Sequence, residues 1–132
     1  MTYIERIYIL VSIISVMSLI IIFTKFISKR FNKNGSAFFK RVDIKLMKIH
    51  KSAARILIIS GTLHGILTFS KFTQYGIRPY ILGTICLLSC IASIFCFYMK
   101  KRLKNTKSWI VYHRDFAVIS LFAFICHIAL SR

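Results

Sequence analysis

Carboxylates are almost missing from this chain. Asp and Glu total three in 132 residues, Glu5, Asp43 and Asp115, against 20 Lys and Arg. That scarcity argues against acid–base or hydrolytic chemistry built on paired carboxylates. It also argues against bare zinc or iron sites, which usually add carboxylate or thiolate ligands. No tandem repeat beyond one matching histidine interval and no low-complexity segment is present. A separate nucleotide-binding domain would need roughly 100 residues more than four membrane spans leave free. Glu5 beside Arg6 stands where a signal peptide would carry a basic cluster, the apolar run after it is too long, and no A-x-A site follows. The N-terminal segment is therefore expected to be retained.

What the chain does have is apolar length. Hydrophobic residues make up 57% of it, too many for an ordinary water-soluble domain. Four apolar stretches, at about 4–27, 44–72, 79–99 and 109–130, are each long enough to cross a bilayer. The expected fold is an all-α integral membrane protein, residues 1–132 forming a single four-transmembrane-helix bundle.

The net charge of +17 would suggest nucleic acid in a soluble chain. Here it collects in two connections. Lys25, Lys29, Arg30, Lys33, Lys40, Arg41, Lys45, Lys48 and Lys51 fill the first, and Lys100, Lys101, Arg102, Lys104 and Lys107 the third. The second holds only Lys71 and Arg78, and the termini are nearly bare. By the positive-inside rule both basic loops are cytoplasmic, with the N-terminus and C-terminus outside. The expected partner of this charge is the lipid bilayer rather than nucleic acid, and the expected location a bacterial cytoplasmic membrane.

The spans differ in content. Span 1 has no histidine and reads as a packing helix. A turn cluster, Asn32, Asn34, Gly35 and Ser36, lies in the connection from Ser28 to about Asp43. Pro79 opens span 3, where a missing N–H costs least, and that span has no ionisable group other than cysteine. Trp109 and Tyr112 mark an interfacial aromatic belt at the start of span 4. Cys86, Cys90, Cys96 and Cys126 all lie within spans and read as small apolar side chains.

All four histidines fall in two equal intervals, His50 to His64 in span 2 and His113 to His127 in span 4, each fourteen positions long. Fourteen helical residues rise about 21 Å and complete four turns less about 40°. Both members of a pair therefore leave one helix face, one near each edge of an apolar core about 30 Å thick. Spans 2 and 4 run parallel, so His50 matches His113 in depth near the cytoplasmic surface and His64 matches His127 near the outer one. The pattern predicts two haems stacked across the bilayer, each held by two imidazoles. Interfacial polar histidines, a transition-metal site and a proton relay are the competing readings. Cys126 adjoins His127, but Ala123 stands where a C-x-x-C-H attachment motif needs cysteine, so the haems would be non-covalent, b-type.

Haem propionates need cations. Lys48, Lys51, Arg55 and Arg114 surround the inner pair, with snorkelling to lipid phosphate as their other use; Lys71, Arg78 and Arg132 are the candidates outside. Asp115 beside Arg114 reads as a local interfacial ion pair. Ala53, Ala54, Leu57, Gly61 and Thr68 share the His50/His64 face. Gly61 and Gly65 serve either close approach of a flat macrocycle or a helix–helix seam. The His113/His127 face adds Phe116, Ala117, Ser120 and Phe124.

Residues 49–69, IHKSAARILIISGTLHGILTF, resemble the first ligand helix of the ferric reductase-like transmembrane domain shared by ferric reductases and NADPH oxidases. Residues 109–130, WIVYHRDFAVISLFAFICHIAL, resemble its second. The resemblance covers nearly the whole chain. It implies b haems on His50 with His113 and on His64 with His127, and electron movement from the cytoplasmic to the outer face. The chain differs from the larger reductases in having neither their outermost spans nor a flavin/nicotinamide domain. A cytoplasmic flavoprotein or a membrane quinol would then be the donor, and ferric iron or oxygen the acceptor. The expectation is a transmembrane electron-transfer cytochrome b, an oxidoreductase only with a separate donor. A cytochrome b subunit of a quinol/quinone-linked complex and a haem-free cationic membrane scaffold are the alternatives. Homo- and hetero-oligomers stay open.

Overall fold

The computed structural model describes residues 3–32, 37–69, 76–99 and 108–131, and they are helical almost throughout. Four helices follow in order: α1 (Tyr3–Asn32), α2 (Ala37–Phe69), α3 (Ile77–Met99) and α4 (Ser108–Leu130). All four are long and apolar enough to cross a membrane. No strand occurs among the described residues.

The first two helices run further than their apolar stretches. α1 continues through Lys29 to Asn32, and α2 begins at Ala37, ahead of the span expected from Ile44. Lys and Arg are good helix formers, so a basic segment that cannot sit in hydrocarbon can still prolong a helix into the headgroup zone. Of the expected turn cluster, Asn32 is the last helical residue of α1, and Asn34, Gly35 and Ser36 lie outside the described residues, as does the basic connection 100–107. α3 starts two residues ahead of Pro79, which keeps that proline in the first turn, where no intrahelical N–H bond is lost. Gly76, just before it, has φ +76°, a left-handed conformation that glycine adopts without a Cβ clash.

The chain divides into two compact units, Met1–His64 and Gly65–Arg132. In the first, α1 and α2 are joined by polar contacts at three levels. Ser12 Oγ meets His64 Nδ1 at 2.9 Å, Ser15 Oγ donates to Ser60 Oγ at 2.9 Å, and Lys25 pairs with Asp43. Ser28 adds a bond to the same Asp43 oxygen at 3.4 Å. Leu19, Ala53 and Leu57 are buried alongside these groups. In the second, α3 and α4 pack along their length, with Ser89, Ser93, Ser120 and Ala123 buried. Phe69, at the end of α2, stacks edge-on against Tyr80 with ring centroids 5.9 Å apart.

This is a small-residue, polar interior with an apolar exterior. Among the described residues six serines are buried, whereas Ile13, Ile59, Leu88, Phe95, Phe122 and many other large apolar side chains are exposed. Such an exterior has no reason to face water. In hydrocarbon the balance is different, because burying leucine gains nothing over lipid, and small residues let helix backbones approach and hydroxyls bridge them.

Candidate functional site

Both histidine intervals lie on unbroken helix, His50 and His64 on α2 and His113 and His127 on α4. The fourteen-residue steps are therefore realised as about 21 Å of axial rise. All four imidazoles are half-buried, and His50 has its Nδ1 shielded from solvent.

Hydrogen bonding fixes which ring nitrogen carries the proton in three of them. His127 Nδ1 lies 2.7 Å from the carbonyl oxygen of Pro79. A carbonyl only accepts, so Nδ1 holds the hydrogen and the neutral ring presents its lone pair at Nε2. His113 Nδ1 lies 2.8 Å from the Ser93 carbonyl, and the Ser93 hydroxyl donates back to the His113 carbonyl at 3.2 Å. The Ser93 Oγ is itself 2.8 Å from the same Nδ1, so the two residues tie α3 to α4 reciprocally. His64 reaches the same state through a hydroxyl. Ser12 Oγ gives its proton to the Tyr8 carbonyl at 2.7 Å, and its lone pairs are left to accept from His64 Nδ1.

Packing sets the ring orientations. Tyr8 stacks on His64 with centroids 5.2 Å apart and an interplanar angle of 22°. Trp109 lies tilted against His113 at 6.3 Å and edge-on to Phe97 at 6.0 Å. Gly83 faces His127, and a Cβ built there would stand 3.2 Å from both Cε1 and Nδ1 of the imidazole. That glycine is the seat on which the ring lies.

The helices expected to carry no site residue thus supply the second layer of the site. Span 1 is more than a packing helix, since Tyr8 and Ser12 hold His64. Span 3, without an ionisable group beyond cysteine, holds two histidines through Pro79, Gly83 and Ser93. Serine spacing was the available signal. Ser12, Ser15 and Ser18 recur every three positions and Ser89 and Ser93 at four, which marks a helix-facing stripe.

The charged candidates are placed differently. Lys48, Lys51, Arg55, Arg78 and Arg114 are exposed, and Gly61 is half-buried. Lys71 and Arg132 lie outside the described residues. Arg114 and Asp115 form no ion pair; neighbours on a helix diverge by about 100°, and both are exposed. Lys25 is not a loop charge either. It is 7% exposed and engaged by Asp43.

Among the described residues no three His, Cys, Asp or Glu side chains gather around one point. A bare ion that needs four protein ligands has no cage there. Comparison with protein-family models, with curated proteins and with solved structures finds no match to this chain.

Proposed function

We propose that this chain is a transmembrane electron-transfer cytochrome b that binds two b haems, one on His50 and His113 and one on His64 and His127. The observation that carries this reading is the common tautomer of His64, His113 and His127. Each is anchored through Nδ1 to a neighbouring helix, which is how metal-ligating histidines are usually held. The equal H-x13-H intervals supply the rest, since they put one ligand near each edge of the apolar layer. When bound, haem supplies a one-electron redox centre, and two across a bilayer make a path from one face to the other.

The chain's own residues would then divide the work. His50, His64, His113 and His127 bind. Ser12, Pro79 and Ser93 fix tautomers and raise the basicity of the ligands, and Tyr8, Gly83 and Trp109 set ring planes. Lys51 and Arg55, exposed near the middle of α2, and Arg114, exposed on α4, would reach anionic propionates, and Gly61 leaves room for a flat ring. The reading places the basic segments in the cytoplasm, both termini outside and the four helices in one bundle, in a bacterial cytoplasmic membrane. A flavoprotein or quinol would be the donor, and ferric iron or oxygen the outer acceptor.

The test is the dithionite-reduced spectrum of the purified protein with a haem count. A sharp low-spin b-type band and two haems per chain are expected. His64→Leu and His127→Leu should each remove the same haem, and His50→Leu and His113→Leu the other. Absence of the band, or spectra unchanged by all four substitutions, would sink the assignment.

A further inference from the structure

Two cysteines of α3 and one serine of α4 converge within the second unit. Cys90 Sγ lies 2.9 Å from Ser120 Oγ, and Cys86 Sγ lies 3.5 Å from the same oxygen. Cys86 and Cys90 stand one helical turn apart on α3, which puts them on the same helix face. Ser120 is 1% exposed, the lowest exposure among the buried described residues. Ser12 and Ser60 return their protons to their own helices, at Tyr8 and Ile56. Ser120 meets sulfur across the helix pair instead. Cys96 and Cys126 stand apart from this cluster.

No imidazole, carboxylate or third thiol completes the set among the described residues. That absence selects the ligand. Zinc takes four tetrahedral donors, and hard cations take oxygen. Soft thiol sulfur selects Cu(I), a d10 ion that is satisfied by two such donors.

We propose that Cys86 and Cys90 form a binding site for a thiophilic monovalent cation of the Cu(I) class, with the Ser120 hydroxyl donating to the metal-bound sulfur. On binding, both thiols lose their protons to water, because the thiolate is the metal ligand. One monovalent cation and two thiolates leave a single negative charge, and the Ser120 hydroxyl, within reach of both sulfurs, donates toward it and offsets part of the cost of burying it. The metal stays in its oxidation state, and no electron moves. The site is independent of the histidines.

The experiment uses the full chain purified in detergent without oxygen, titrated with Cu(I) against a coloured Cu(I) chelator. Wild type, Cys96→Ser and Cys126→Ser should each hold one equivalent against the chelator. Cys86→Ser and Cys90→Ser should each lose it, with helical circular dichroism unchanged. Ser120→Ala should keep the equivalent at an affinity about 10- to 100-fold weaker. A wild type that holds none, an equivalent that survives Cys86→Ser or Cys90→Ser, or equal loss in Cys96→Ser would overturn the site. Unchanged affinity in Ser120→Ala would overturn the part given to the hydroxyl.

Discussion

The imidazole of His127 lies directly on Gly83, so close that a methyl group there would sit 3.2 Å from two of its ring atoms. The same ring is held by the Pro79 carbonyl one turn earlier on α3. One turn of α3 therefore fixes both the proton and the plane of this histidine.

Gly83→Ala sets two effects against each other. Alanine in a helix is favoured over glycine by about 0.8–1 kcal/mol, while the added carbon pushes the ring by a few tenths of an ångström. Helix thermal stability in detergent should hold or rise, and the haem assigned to His64 and His127 should change in midpoint potential or occupancy. A redox titration that shows both haems unmoved would mean that the ring plane is set elsewhere.

The two serine anchors should differ in weight. Ser93→Ala leaves the carbonyl of residue 93 in place to hold His113 Nδ1, and costs one hydroxyl contact of about 0.6 kcal/mol. Ser12→Ala takes away the oxygen that accepts from His64. Haem dissociation followed by transfer to an apo-haemoprotein acceptor should be about 10- to 100-fold easier for the outer haem in Ser12→Ala and little changed in Ser93→Ala. Equal behaviour of the two variants would contradict the tautomer argument.

Asp43→Leu leaves the buried ammonium of Lys25 without its counter-charge. Removing one partner of such a pair costs about 3–5 kcal/mol, whereas replacing both by apolar groups is often neutral. Asp43→Leu should unfold well below wild type in a detergent melt, and Lys25→Met with Asp43→Leu should recover most of the loss. A double variant as unstable as Asp43→Leu would show that the pair contributes through something other than charge.

The helices were legible because four apolar runs separated by basic connections have few other solutions. The histidines were legible through spacing, which survives translation into a helix without knowledge of any neighbour. Their anchors were not. Tyr8, Ser12, Gly83 and the carbonyl of Pro79 matter only because of which helix lies beside which, and a backbone carbonyl leaves no trace in residue identity. Lys25 and Asp43 were misplaced for a related reason. In a basic stretch each charge reads as solvated, and a single aspartate among nine cations gives no sign of which one it holds. Cys86 and Cys90 read as small apolar residues until Ser120 is found between them.

The Lys25–Asp43 pair has a bearing on how the protein is made. The two residues are 18 positions apart, so α1 leaves the ribosome with its ammonium unmatched and the carboxylate follows later. The smallest segment in which that charge is neutralised is the α1–α2 hairpin. The order of synthesis, amine first and acid after, therefore delays the closing of this pair until α2 has been made as far as Asp43.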